Sequence, residues 1–317
     1  VNDKTRIFPD FFIVGAQKAG TATLSDALVS RSDVFMSTPR EPMFFCRDDH
    51  RVHPHGLLAA NAAWAQMNWA EGASALHDEY ARYFRDAGSR RVGEGSASYL
   101  HAERVPERIA KLNPSARIII SLRDPVARAY SAYWHHIKNF RAVWSFEDTL
   151  AYEPWDLLEI GRYPVHLRRW CEHFPREQIH VVLFERLTED WSGEWRRLCS
   201  FLSLPPDDTP LPHANKALVP TAIRTQRVLN LALRLVGSDM QASALRSRGA
   251  ADRRPLSLRL LDKGIRGMGK VNRSLGAKYP RMKEETRARL TEWFRRENEG
   301  LEPLVGIDPG AAWWRNR

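Results

Sequence analysis

Cysteine is scarce in this chain: only Cys46, Cys171 and Cys199 stand among 317 residues. The number is odd and the three are scattered without metal-ligand spacing. That argues against a disulfide framework and against a cysteine-built zinc module. They are read as reduced interior thiols, as expected of a cytoplasmic protein. Long apolar runs are missing too. No window approaches the roughly 18 consecutive apolar residues of a membrane span. Phe11–Val14 is too short for the core of a signal peptide, and because the chain starts at Val1, an upstream targeting segment stays open. No internal repeat or low-complexity tract is present. Acidic residues are also in deficit, 38 against 48 Lys and Arg, for a net charge of +10. Anionic partners are therefore expected.

That excess is uneven. Between Arg224 and Lys283, fifteen Lys and Arg stand against three Asp, a local +12 that exceeds the charge of the whole chain. Leu229, Leu231, Leu233 and Leu235 interleave with the basic residues, which favours a face that meets phosphate, sulfate or membrane anions over a merely solvated surface. The apolar fraction of 43% is enough for a sizeable core. Continuous β-branched or apolar runs at Phe11–Val14, Arg117–Leu122 and Ile179–Phe184 read as buried parallel strands. Helical spacing lies between them, at Thr21–Val29, Val105–Leu112, Pro125–Ile137, Val165–Phe174 and Trp191–Leu202, with a long helix from about Met282 to Gly300. Strands alternating with helices predict an α/β fold with a central parallel sheet flanked by helices. The whole chain, 1–317, is read as one domain. Its 207–281 segment, helical and basic, is a lid or acceptor-binding insertion.

Three sites carry chemistry. The first is Gly15-Ala16-Gln17-Lys18-Ala19-Gly20-Thr21-Ala22-Thr23, a glycine-bounded turn between a strand and a helix. Such a turn points main-chain N–H groups inward, and the helix start adds its dipole, so the loop is an anion cradle of P-loop type. In the Walker pattern a lysine directly follows the second glycine. Here Thr21 holds that place and Lys18 sits inside the loop, which speaks for phosphate but against the usual triphosphate. The second site is Arg123, at the end of the strongest strand, with Ser131 eight residues on. Ligands of open parallel sheets sit beyond the carboxyl ends of strands, and an arginine fork with a hydroxyl suits a second phosphate. The third is Glu41, between Arg40 and Pro42 and just before Phe44 and Phe45. Beside two anion sites a carboxylate repels phosphate but is placed to take a proton from a hydroxyl. Burial by the two rings is expected to raise its pKa.

Together these residues resemble the PAPS-dependent sulfotransferases, and more closely the branch of the heparan sulfate sulfotransferases and their bacterial relatives. The Gly15–Thr23 loop is similar to that family's 5′-phosphosulfate loop, and Arg123-Asp124-Pro125 with Arg128 and Ser131 to its 3′-phosphate motif. Glu41 with Phe44 and Phe45 is similar to the branch's catalytic base motif. The likeness continues at Gly161-Arg162-Tyr163, Trp170, Phe174, Phe184-Glu185-Arg186-Leu187, Asn215-Lys216 and the segment from Asn298 to Trp313. The resemblance implies the sulfotransferase variant of the P-loop architecture. It also implies PAPS as co-substrate, PAP as product, and transfer to an acceptor hydroxyl on a carbohydrate, glycolipid or natural product. Glu94 and Arg40 are assigned to the acceptor side. Animal members often carry Lys after the acid matching Glu94, whereas this chain has Gly95, so Glu94 either contacts the acceptor or shapes its loop. No metal is expected, since Lys18, Arg123 and the loop supply the positive charge. His50, His53, His55 and His101 are alternative bases, and Trp64, Trp69 and the aromatics of Phe140–Trp155 are candidate acceptor-site linings. Nucleic acid is not expected as a partner, whereas peripheral membrane contact is consistent with the basic segment. Two other readings stand beside this one: a P-loop kinase or phosphotransferase, and a non-catalytic polyanion-binding module.

Overall fold

The computed structural model describes residues 8–47, 49, 75–212, 219–235, 255–274 and 279–314. Two compact units divide the chain: Val1–Pro125 with Arg162–Ala214 and Phe294–Arg317, and Val126–Gly161 with Asn215–Trp293.

The first unit is built on five parallel strands: β1 (Phe11–Gly15), β2 (Val34–Met36), β3 (Arg91–Gly95), β4 (Arg117–Leu122) and β5 (Ile179–Leu183), in the order β2-β3-β1-β4-β5. β1 is buried along its whole length, and β4 along all but its first residue. Continuous apolar runs are required there because both faces of the sheet are covered. Side chains alternate across the sheet. Phe11 and Ile13 share a cluster with Leu24, Ala27 and Leu28 of α1 (Thr21–Val29) and with Trp195, Leu198, Cys199 and Leu202 of the helix over Trp191–Leu202. Phe12 meets the ring of Phe45 edge-on at 6.2 Å. The connection after β1 runs towards one edge of the sheet and that after β4 towards the other. The switch point therefore lies between these two neighbours, where their carboxyl ends open a crevice.

Further helices follow in chain order: α2 (Ala75–Ala81), α3 (Val105–Leu112), α4 (Pro125–Lys138), α5 (Phe146–Tyr152), α6 (Trp155–Leu158), α7 (Tyr163–His173), α8 (Phe184–Glu189), α9 (Trp191–Leu202), α10 (Ile223–Leu235), α11 (Leu256–Ser274), α12 (Glu284–Glu297), α13 (Leu301–Val305) and α14 (Gly310–Trp313). Five of them, α3, α4, α7, α9 and α12, match the spacing-based expectations to within a few residues. The helix expected from Val165 starts at Tyr163, with Pro164 in its first turn, where the missing N–H costs nothing. The strand expected to reach Phe184 ends at Leu183, and Phe184 opens α8.

In the second unit α10 and α11 pack together around Leu229, Leu233 and Ile265, with Phe140. Gly269 sits so close to the Phe140 ring that a Cβ there would come within 2.4 Å of it. Asn230 donates to the carbonyls of Ile137 (3.1 Å) and Ala142 (2.6 Å), which ties α10 to the end of α4. Within the 207–281 segment, Arg224, Arg227 and Arg234 lie on α10 and Arg259, Lys263, Arg266, Lys270 and Arg273 on α11, while Arg246, Arg248, Arg253 and Arg254 lie outside the described residues. Asn215, Lys216, Trp64, Trp69, His50, His53 and His55 lie outside the described residues. Among the described residues no helix is long and apolar enough to cross a membrane.

Candidate active site

β1 ends at Gly15 and the chain turns through Ala16–Gly20 into α1. The turn is fastened from β4: the Ala16 N–H donates to the Ser121 carbonyl at 2.6 Å, and the Ser121 hydroxyl donates to the Ala19 carbonyl. Gly15 (φ +147°) and Gly20 (φ +88°) occupy backbone that side chains rarely adopt, and a Cβ at Gly20 would lie 2.7 Å from the Phe184 ring. Both glycines are therefore demanded by geometry. Lys18, between them, is itself held at φ +69°. Thr21, Ala22 and Thr23 form the first turn of α1, whose N–H groups have no acceptor within the helix. No side chain caps that end. The helix start and the loop thus offer main-chain N–H groups of the kind that suit an anion.

Arg123 stands just past β4. Its guanidinium donates to the Lys18 carbonyl at 3.1 Å and lies 4.7 Å from the centre of the Phe184 ring. Its Nε is buried and lacks a hydrogen-bond partner among the described residues. A buried, unpartnered guanidinium N–H is costly unless a ligand meets it, so the residues present fit an anion here. Neighbours that the sequence reading did not assign to the site hold Arg123 in place. The Tyr163 hydroxyl donates to the Arg123 carbonyl at 2.7 Å. The Glu185 carboxylate accepts from the Asp124 N–H and from Trp313 Nε1, each at 3.0 Å. The available signal was position: Phe184 and Glu185 directly follow β5, the strand next to β4. Ser131, on α4, belongs to the other unit and is 8% exposed.

Glu41 follows β2 at φ +50°, and Met43 adopts φ +47°. The Glu41 side chain is exposed at the surface, yet enough protein crowds it that desolvation raises its pKa. The charges of Arg40 and Lys18 pull the other way. Phe44 and Phe45 point elsewhere than expected. Both are fully buried and pack on Tyr80, at 4.6 and 4.8 Å between ring centres, in the cluster that encloses Glu94. Arg40 pairs with Asp26 at 2.7 Å and donates to the Ala22 carbonyl at 3.0 Å, so it brackets α1.

Glu94 has no exposed surface. Its carboxylate accepts from the hydroxyls of Tyr80 and of Ser96, the latter at 2.8 Å, with the Tyr99 hydroxyl beside them. Burial raises its pKa against those hydrogen bonds, and burial beside Glu94 lifts Tyr80 and Tyr99 well above the ordinary tyrosine value. Of the two roles expected for Glu94, shaping the loop is the one this enclosure fits. Gln17 links the two loops, donating to the Ser98 hydroxyl at 2.8 Å. His101, the one alternative base among the described residues, is 3% exposed and lies against His166. Among the described residues no group of three His, Cys, Asp or Glu is placed to hold a metal ion.

A glycine-bounded loop at the switch point of a parallel sheet, with an arginine at the end of the neighbouring strand, defines an α/β architecture of P-loop type. The model of the sulfotransferase family matches residues 9–208, and the chain belongs to that family. It is 30% identical over 217 residues to heparan sulfate glucosamine 3-O-sulfotransferase 3A1 of Mus musculus, covering 64% of this chain and 48% of that protein. It is 31% identical over 209 residues to the 3B1 enzyme of the same organism, covering 62% and 46%. The chain thus spans about half the length of the curated relatives it matches. Among solved structures, a sulfotransferase from Alicyclobacillus acidocaldarius aligns with a TM-score of 0.55 at 28% identity, over 76% of this chain and 99% of that one.

Proposed function

We propose that this protein moves a sulfuryl group from PAPS to a hydroxyl of an acceptor by in-line displacement. The observation that carries the reading is the pairing, across the switch point, of the Lys18 loop with an arginine whose buried Nε has no hydrogen-bond partner among the described residues. A nucleotide with phosphates at two separate places uses both, whereas a simple triphosphate needs only the loop. In this reading the loop N–H groups and Lys18 take the 5′-phosphosulfate and stabilise charge on the oxygen that leaves sulfur. Arg123 takes the 3′-phosphate, with Ser131 assigned to the same phosphate on its spacing alone. Glu41 takes the proton of the attacking hydroxyl. Its raised pKa brings it nearer the range of an effective base. Arg40 is assigned to the acceptor side.

Thermal unfolding with PAP, with ATP and Mg²⁺, and with an oligonucleotide separates this reading from a kinase and from a polyanion-binding module. PAP alone is expected to raise Tm. At 100 times its Kd a ligand adds about 2.7 kcal/mol, several degrees for a domain of this size. Arg123→Met is expected to lose most of that shift while keeping the ligand-free Tm. Equal stabilisation by ATP and Mg²⁺ would overturn the reading.

For the acceptor we propose a glycan hydroxyl, because the named relatives at about 30% identity act on heparan sulfate glucosamine. Transfer of ³⁵S from labelled PAPS into a glycan extract and into a lipid extract, followed by mass spectrometry of the product, tests it. Membrane contact is proposed for the second unit. Val228, Leu231 and Leu235 line an exposed stripe on α10, and Leu256, Leu260, Leu261, Met268 and Val271 are exposed on α11, a helix that also carries Arg259, Lys263, Arg266 and Lys270. Basic amphipathic helices of this kind lie in anionic interfaces. The protein is expected to sediment with vesicles of anionic lipid and not with zwitterionic ones, and Leu231→Asp with Leu260→Asp is expected to abolish this. Equal sedimentation with both vesicle types would refute the contact.

A further inference from the structure

Glu94 ends up far from the role of an acceptor ligand, and its bonding pattern leads to the turn that carries Glu41. An ionised carboxylate only accepts hydrogen bonds. Around Glu94 stand three hydroxyls, those of Tyr80, Ser96 and Tyr99. Each hydroxyl owns a single proton. Once Ser96 directs its proton at Glu94, its oxygen is left as an acceptor, and it and the neighbouring Tyr99 hydroxyl accept main-chain N–H groups from the segment after Glu41. The Met43 N–H donates to Ser96 Oγ at 3.1 Å, and the Phe45 N–H donates to the Tyr99 hydroxyl at 3.2 Å. Arg108 fixes the same segment from its other side, donating to the Phe45 carbonyl at 2.6 Å.

The segment needs such fastening. Glu41 and Met43 both lie in the left-handed region without being glycine, a backbone conformation unfavourable for residues with a side chain. Backbone of this kind keeps its shape only where the surroundings fix it.

We propose that Glu94 is a positioning residue. It sets the donor–acceptor sense of the relay Glu94–Ser96–Met43, which, with the Phe45 N–H on the Tyr99 hydroxyl, holds the Glu41 turn at the site. The consequence for catalysis rests on the assignment of Glu41 as base; the consequence for the turn does not. Replacement by glutamine keeps the shape of the side chain but breaks the pattern, because an amide nitrogen donates and cannot accept. The amide nitrogen then faces Tyr80 or Ser96; facing Ser96, it donates to that hydroxyl, whose proton must find another acceptor, so the contact to the Met43 N–H loses its fixed sense.

The test compares Glu94→Gln, Ser96→Ala and Tyr99→Phe in the full chain by hydrogen-exchange mass spectrometry, PAP titration and ³⁵S transfer from PAPS into a fixed glycan extract. In Glu94→Gln, peptides covering residues 41–47 are expected to exchange at least about tenfold faster, while those covering 11–24 are unchanged. PAP affinity stays within twofold, and transfer falls about 10- to 100-fold, as misplacement of a reacting group by about an ångström does. Ser96→Ala and Tyr99→Phe show the same pattern more weakly. Because Glu94 and Ser96 act through one relay, Ser96→Ala adds less than twofold when placed on Glu94→Gln. If Glu94→Gln does not fold, the two single variants carry the test by the same exchange readout. Unchanged exchange at 41–47 in the variants overturns the proposal, and so does loss of PAP binding in parallel with transfer. Absence of transfer in the wild-type protein would instead count against the sulfotransferase reading, and the exchange data would still decide the role of Glu94.

Discussion

Lys18→Ala is expected to lower sulfuryl transfer by about 10²–10³-fold, the usual cost of removing one group aimed at charge that develops in the transition state. The main-chain N–H groups of the loop survive the change, and Arg123 still donates to the carbonyl of residue 18. Binding of PAP is therefore expected to suffer far less than turnover. This split is the signature of a group that acts on the leaving oxygen. A second effect has a definite sign. The Lys18 charge holds down the pKa of Glu41, so the alanine variant moves that pKa further up. Between about pH 5 and 9, the acid limb of the residual rate should therefore lie at higher pH than in the wild type. Near-normal turnover in Lys18→Ala would remove the lysine from the mechanism.

Glu41→Gln is expected to cost about 10²–10⁴-fold in transfer, the range for loss of a general base, with the PAP-induced rise in Tm intact. In the wild type the rate should fall as pH drops through the raised pKa of Glu41, because a protonated carboxyl cannot accept the proton. In the glutamine variant that limb should vanish. Stability supplies an independent check. A carboxyl with a higher pKa folded than unfolded binds more protons in the native state between the two values, so stability declines as pH rises through that window. Removing the ionisable group should leave the protein at least as stable at neutral pH while it loses activity. Full activity with intact PAP binding would move the base elsewhere.

Much of this site was legible in the sequence because local chemistry dictates it. A glycine-bounded turn after a short apolar run must expose N–H groups, and Thr21 in the Walker place with Lys18 set back sufficed to argue against a standard triphosphate loop. The switch point was accessible through β4, since Arg117–Leu122 could only be a buried strand and Arg123 had to stand at its end. Glu94 and the two phenylalanines were harder. The Glu-x-x-Phe-Phe spacing places Phe44 and Phe45 near Glu41 in the chain, but backbone in the left-handed region at Glu41 and Met43 turns the rings inward, onto Tyr80 and around Glu94. The carboxyl read as a possible acceptor contact is the buried one, and the carboxyl expected under the rings is at the surface.

What the sequence alone determined is whatever depends on neighbours along the chain: strands from continuous apolar runs, helices from their period, the loop from its glycines and the family from motif order. What only the tertiary structure decided is whatever depends on residues far apart in sequence. Phe184 abuts Gly20 and underlies Arg123, Tyr163 and Glu185 hold the Arg123 corner, and Tyr80, Ser96 and Tyr99 converge on one carboxylate. The physical reason is that hydrogen-bond direction and desolvation are fixed by packing in three dimensions, and no spacing along a single chain encodes which buried oxygen a given hydroxyl will face.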